Sequence, residues 1–338
     1  MPPSSQFVCS TRARCSFSKP LKTMVVGAIV LGCICYVNIG GDGSKRKEPM
    51  FREIDVARDL PFDVNKDVFA PLNIPKTGTQ VLVYYITHNS DIKPRCRFLK
   101  AKGFRCVSAT NSTWLLGDSK KGSNCGSNSD WTELTECIEA RFAENEGKTA
   151  QSSYRYITLL RDPVQRFISE FLRTKKIVKI ADVNSCHGRL PSQLELPDCF
   201  DAARNLTLDW FLACRSNLAI NRQTRMLADL RLVNCYNKTG MTEKERDRRL
   251  LESAKENLLK MSFFGLTDYQ HLSQVVFEET FHVKFLSDFE EFNVTHARKA
   301  VISPSDLERI AKVNHNDVEL YNFAKSLLME RARYMNLQ

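Results

Sequence analysis

The sequence predicts an α/β protein with a central parallel sheet flanked by helices, set behind an N-terminal transmembrane anchor. Three observations carry this expectation. Tyr156–Leu160 is a short, continuously apolar run of the kind buried in a parallel sheet. Arg161 ends that strand, and Asp162 and Pro163 suit the N-cap and first position of the helix that follows. Val68–Ile74 is a second strand leading directly into Pro75-Lys76-Thr77-Gly78-Thr79, and Phe263–Leu266 reads as a third.

Taken in order, residues 1–22 hold Arg12, Arg14, Lys19 and Lys22 without an acid, and 23–39 is uncharged and predominantly apolar. That run is short for a span, but thin early-secretory membranes accept short spans, and basic residues before it favour a cytosolic N-terminus. The expected organisation is a cytosolic tail (1–22), a signal anchor (23–39), a polar stem (40–66) and a lumenal domain (67–338). A cleaved signal peptide is the alternative, although no Ala-x-Ala site follows. Of twelve cysteines, Cys33 and Cys35 fit as apolar residues of the span. Eight follow the anchor: Cys96, Cys106, Cys125, Cys137, Cys186, Cys199, Cys214 and Cys235. An even number in an oxidising lumen predicts disulfides and leaves their connectivity open. Asn111, Asn205, Asn237 and Asn293 head glycosylation sequons.

At 338 residues, a large domain has ample chain for a buried core, and no internal repeat is present. The net charge of +10 suits an acidic partner: nucleic acid, a membrane surface or a glycosaminoglycan. The anchor decides between them and sets nucleic acid aside. Toward the C-terminus, Thr242 caps a helix running to about Lys260, with Leu250, Leu251, Ala254 and Leu258 on one face. Ser305-Asp-Leu-Glu308 reads as a capping box. Arg222 and Arg225 fall on an intervening helix, with internal pairing the simpler assignment.

Two segments have anion chemistry. Ser169 lies two helical turns past Arg161, so a guanidinium and a hydroxyl converge near one carboxyl-end crevice, good donors for a phosphate. The Lys76–Gly78 turn offers an ammonium and backbone amides. Its spacing is not that of a Walker A loop, and Pro75 removes one amide. Val81–Ile86 is β-branched and aromatic, which argues against a helix there. Alone, each segment also fits an ordinary turn.

Together they resemble Golgi sulfotransferases, through Lys-Thr-Gly after a first strand and Leu-Leu-Arg-Asp-Pro-Val-x-Arg-Phe-x-Ser-Glu after a later one. The resemblance narrows to heparan sulfate 6-O-sulfotransferases through Asp130-Trp-Thr-Glu-Leu-Thr-Glu-Cys137, the run from Asn221 to Leu230, Cys235-Tyr-Asn237, Leu251-Glu-Ser-Ala-Lys255 and Phe263-Phe-Gly-Leu-Thr267. It covers roughly residues 65–330. It implies a P-loop-like α/β fold that binds 3′-phosphoadenosine 5′-phosphosulfate and acts on heparan sulfate at the Golgi membrane. Pro75, Lys76, Thr77, Gly78 and Thr79 would hold the 5′-phosphosulfate, and Arg161 and Ser169 the 3′-phosphate. A late loop with Phe292, His296 and Ala297 would close the nucleotide site. Lys120, Lys121, Arg173 and Lys175, with Lys176 beside them, are the expected contacts of a polysulfated chain, although a charge run is also an ordinary solvated face.

Sulfuryl transfer leaves negative charge on the departing phosphate, which a fixed Lys76 ammonium stabilises. A base takes the proton of the attacking hydroxyl. No metal is required, and no ligand cluster with convincing spacing stands out. The chain departs from the family at the base. The family's Cys-Gly-x-His-x is here Cys125-Gly-Ser-Asn-Ser, which puts Asn128 in the His position. Either another group serves or transfer is weak. Asp130 and Glu133 are near in sequence but also read as a capping box; His88 and His187 are the remaining candidates. A glycine is missing from the Lys-Thr-Gly loop, and the family's acceptor-side Arg and Trp fall near Asp118 and Ser123. Lys120 and Lys121 would compensate. Three functions follow: an active 6-O-sulfotransferase with a reassigned base, a relative that only binds nucleotide or heparan sulfate as a Golgi partner, or a phosphate-transferring P-loop enzyme. The absent Walker spacing counts against the last.

Overall fold

A computed structural model describes residues 51–99, 103–116, 128–144, 153–176, 183–200, 206–289 and 300–337. The expected tail and anchor, Lys120, Lys121, Phe292, His296 and Ala297 lie outside the described residues. No helix among the described residues is long and apolar enough to cross a membrane.

Three strands form a parallel sheet: β1 (Asp67–Pro71), β4 (Ser153–Leu160) and β5 (Phe263–Leu266), in the order β1-β4-β5. Ala70 pairs with Tyr156, and Leu159 with Gly265. Outside β1, the Phe69 amide donates to the Trp114 carbonyl (2.9 Å) and the Leu116 amide to the Phe69 carbonyl (2.9 Å). A separate hairpin of β2 (Arg97–Leu99) and β3 (Gly103–Arg105) is antiparallel. Each sheet strand feeds a helix: α2 (Thr79–His88) follows β1, α4 (Pro163–Lys176) follows β4, and α8 (Gln270–Phe281) follows β5 through one 3-10 turn. The remaining helices are α1 (Glu53–Val56), α3 (Trp131–Glu144), α5 (Leu208–Ala213), α6 (Arg222–Leu227), α7 (Glu243–Lys260), α9 (Pro304–Val313) and α10 (His315–Tyr334). This is the expected α/β layering.

Several expectations change in detail. Val81–Ile86 lies inside α2 despite its poor propensity, because Leu82, Tyr85 and Ile86 bury one face of the helix. The stem was expected to run to residue 66, but 51–66 is built into the domain. Leu60 and Phe62 donate their amides to the Thr280 and Phe281 carbonyls, and Phe62 stacks on Phe69 at 3.9 Å. Ser303, not Ser305, caps α9: its Oγ accepts from the Asp306 amide (3.1 Å), with Pro304 at the first helical position. Thr242 caps α7 as expected. Its buried face includes Leu251, Ala254 and Leu258.

Phe69, Phe263, Phe277 and Phe281 form the aromatic centre of the core, between β1, β5 and α8. The close approach of α8 to β5 depends on Gly265. A Cβ there would lie 2.8 Å from Leu159 Cδ2 and from Ser273 Cβ. Gly265→Ala is therefore expected to destabilise the fold by about 1–3 kcal/mol, read as a lowered melting temperature. Disulfides join Cys96 to Cys106, Cys186 to Cys235 and Cys199 to Cys214, and Cys137 is also disulfide-bonded.

Candidate active site

The carboxyl ends of β1, β4 and β5 lie side by side, the edge at which open parallel sheets bind ligands. After β1 the chain turns through Lys76 (φ 72°) and Gly78 (φ 96°), both left-handed, into α2. The first amides of α2 have no intrahelical acceptor and carry the positive end of the helix dipole. A Cβ on Gly78 would meet Leu159 and Thr267 at 3.7 and 3.9 Å, so the φ rather than crowding calls for glycine.

Neighbouring strands fix this turn. The Thr77 hydroxyl donates to the Ile74 carbonyl (2.9 Å), and the Thr79 hydroxyl accepts the Leu159 amide (3.1 Å). Thr267 donates its one hydroxyl hydrogen between the Thr77 and Leu160 carbonyls, at 2.5 and 2.9 Å. The buried Thr77 and Thr79 side chains thus serve the loop's geometry, leaving the ammonium and backbone amides to face an anion.

Arg161 stands at the end of β4 beside that turn. Its guanidinium donates to the Lys76 carbonyl (3.2 Å). Gln223 clamps its backbone from both sides, accepting the Arg161 amide (2.9 Å) and donating to the Arg161 carbonyl (3.0 Å). Asp162 caps α4 through the Gln165 amide (2.8 Å). Ser169 shares a helical face with Arg166 and Arg173. Burial lowers the pKa of the half-buried Lys76, and nearby Arg173 and Arg161 lower it further, against a weaker opposing pull from Glu170. Arg161 thus stands against the Lys76 turn, and the charge of Arg173 on α4 also bears on it. Their acidic neighbour is already occupied: Glu170 accepts from Arg166 and from Arg222 (Nε to Oε2, 3.0 Å). Burial pushes the Glu170 pKa up, but Arg222 and Arg166 outweigh it and hold the carboxyl below its ordinary range. A donor set of this kind fits a ligand with two anionic groups.

The pairing expected for Arg222 is present, and both it and Arg166 are fully buried. Arg225 donates to the Leu218 carbonyl (3.4 Å). Arg173, Lys175 and Lys176 occupy the exposed last turn of α4.

On the other side of the crevice, the Asn73 side chain donates to Asn128 Oδ1 (2.8 Å), tying residue 128 to the strand end before Lys76. Asn184 Nδ2 donates both to the Asn128 carbonyl (2.7 Å) and to Glu133 Oε2 (3.0 Å). Ser185 Oγ donates to Glu133 Oε1 (2.9 Å). The expected capping box is half made. Asp130 Oδ1 accepts the Glu133 amide (3.0 Å), while the Glu133 carboxylate turns to Asn184 and Ser185 instead.

Asp130 is fully buried, and burial pushes its pKa up to about 7 against the pull of the Glu133 amide and Arg225. An unfolded aspartate ionises near 3.9. The folded chain thus holds a proton that the unfolded chain releases, and stability falls as pH rises through about 4–7, by on the order of a few kcal/mol. Asp130→Asn keeps a capping oxygen and removes the titration. Its melting temperature is expected to gain on that of the unsubstituted chain between pH 5 and 7.5; parallel profiles would contradict this.

Neither candidate histidine joins the crevice. His88 stacks on Tyr84 (4.3 Å) at the far, C-terminal end of α2. His187 lies in an exposed turn where its amide donates to Glu136 (3.3 Å). Among the described residues, Cys186, His187 and Cys235 are close enough to share a metal, but the two sulfurs are joined to each other. Sequence reasoning missed Asn73, Asn184, Gln223 and Thr267 as site-building residues. Gln223 and Thr267 lay inside quoted motifs, and only the fold assigns them a task.

The profile of the sulfotransferase family matches residues 62–324. Heparan-sulfate 6-O-sulfotransferase 2 of Danio rerio is 39% identical over 299 residues, 85% of this chain and 64% of that protein. Heparan-sulfate 6-O-sulfotransferase 3-B of Danio rerio is 39% identical, over 84% of this chain and 70% of that protein. The human heparan-sulfate 6-O-sulfotransferase 3 is 40% identical, over 82% and 61%. The chain belongs to the heparan-sulfate 6-O-sulfotransferase group of the sulfotransferase family.

Proposed function

We propose that this chain transfers a sulfuryl group from 3′-phosphoadenosine 5′-phosphosulfate to the 6-hydroxyl of glucosamine residues, N-sulfoglucosamine above all, in heparan sulfate. The observation that carries the reading is the left-handed Lys76–Gly78 turn held under the Arg161 guanidinium, with Glu170 spent on Arg166 and Arg222. Lys76 and the amides of Gly78 and Thr79 take the 5′-phosphosulfate, with Pro75 and Thr77 setting the turn; Arg161 and Ser169 take the 3′-phosphate. Phe292, His296 and Ala297 close over the nucleotide. Lys120, Lys121, Arg173 and Lys175 meet the sulfated chain. When bound, the donor supplies an activated sulfuryl group. Lys76 holds positive charge where the departing phosphate becomes more negative, and the crevice orients the acceptor hydroxyl. This division of labour calls for no metal.

The persistence of the donor residues weighs against a relative that only binds. The basic N-terminus and apolar 23–39 support a single-pass type II placement in the Golgi membrane, and the paired cysteines support a lumenal catalytic domain. The test is transfer of labelled sulfate by the full chain to N-sulfated heparosan, with chondroitin as the competing acceptor. Donor-dependent label in the heparosan is expected. Label in chondroitin alone, or in neither, contradicts the reading.

A further inference from the structure

The amide at position 128 leaves the transfer without the base that the family resemblance implies, and the hydrogen bonds around it identify a substitute. Asn128 is held on both sides: Asn73 donates to its side-chain oxygen and Asn184 to its backbone carbonyl. The same Asn184 Nδ2 donates to Glu133 Oε2, so the Glu133 carboxylate and residue 128 share one donor. Glu133 receives one further bond, from Ser185 to Oε1. A carboxylate offers about four acceptor sites, so these two bonds leave room for a third donor. Glu133 is also partly exposed. Asp130, the other nearby acid, is fully buried, and one of its oxygens is spent on the helix cap.

Resting on the transfer function above, we propose that Glu133 is the catalytic base, taking the proton of the acceptor hydroxyl in the role vacated at Asn128. As the hydroxyl oxygen forms its bond to sulfur, its proton passes to a Glu133 oxygen. The bond from sulfur to the bridging phosphate oxygen breaks, and its electron pair stays with the departing 3′-phosphoadenosine 5′-phosphate. Product release and loss of the proton to water restore the carboxylate.

The Asn184 and Ser185 contacts also offer a purely structural reason for Glu133, so the test separates the two. Four full-length proteins are compared: unsubstituted, Glu133→Gln, Asn128→His, and the double variant. The readouts are transfer to N-sulfated heparosan, affinity for 3′-phosphoadenosine 5′-phosphate, and melting temperature. Glu133→Gln is expected to lose about 10²–10⁴-fold in turnover while nucleotide affinity stays within about twofold. Asn128→His in the Glu133→Gln background is expected to recover at least about tenfold, because a histidine at 128 replaces a lost base but not a lost loop contact. Glu133→Gln that retains turnover within about threefold overturns the proposal, as does a loss that Asn128→His does not recover. An unsubstituted chain that is silent while Asn128→His transfers sulfate overturns it as well, leaving the donor and acceptor assignments standing. If both of those proteins are silent, the transfer function itself fails.

Discussion

Lys76→Ala is expected to lower sulfuryl transfer by about 10²–10³-fold, the usual cost of removing a preorganised charge from the site where negative charge develops. The fold should survive the change. The Lys76 carbonyl, not its side chain, accepts from Arg161, and lysine and alanine each carry a Cβ at the left-handed φ of position 76, so no new backbone strain enters. The substitution also removes a half-buried ammonium whose pKa is lowered first by burial and then by the charges of Arg173 and Arg161. The melting temperature is therefore expected to hold or rise slightly as activity falls. Turnover and melting measured on the same preparation check this. Retained turnover would remove Lys76 from the reaction.

The second large effect concerns stability. Glu170→Ala leaves Arg166 and Arg222 buried without their shared carboxylate. Breaking one partner out of a buried ion network costs about 3–5 kcal/mol, because the charge left behind stays desolvated. Asp317 does not replace Glu170: it lies 3.8 Å from Arg166 Nε, and its oxygens already accept the Gln223 and Thr224 amides. The network joins α4, α6 and α10, so its loss also loosens Gln223, which clamps Arg161. Thermal unfolding should show a midpoint lowered by roughly 5–10 °C. Glu252→Ala, which breaks an exposed pair with Arg248, is the control and should change stability by less than about 1 kcal/mol. Equal effects from the two substitutions would contradict this account.

The sequence was most legible where one local signal decided the outcome. The apolar run before Arg161, the Asp162-Pro163 helix start and the Thr242 cap are all present, because each depends on a few adjacent residues. Propensity misled at Val81–Ile86, where tertiary burial of Leu82 and Ile86 outweighs a weak preference. Polarity misled over 51–66, where Phe51, Leu60 and Phe62 are too few to announce a core segment but are enough to bind one. The Ser305 box lost to Ser303 because Pro304 favours the first helical position. At the sheet's carboxyl end, the closeness of Lys76 and Arg161 followed from the two strand ends. Asn184 and Gln223 were not legible: both act through hydrogen bonds to residues more than fifty positions away, and no local pattern records such a bond.

The most direct test of the central claim is the position of the sulfate itself. N-sulfated heparosan treated with the full chain and 3′-phosphoadenosine 5′-phosphosulfate should be depolymerised and its disaccharides resolved. New 6-O-sulfated glucosamine, absent with Lys76→Ala, is the predicted result. A product sulfated only elsewhere on the disaccharide, or 6-O-sulfate that persists with Lys76→Ala, would contradict the account.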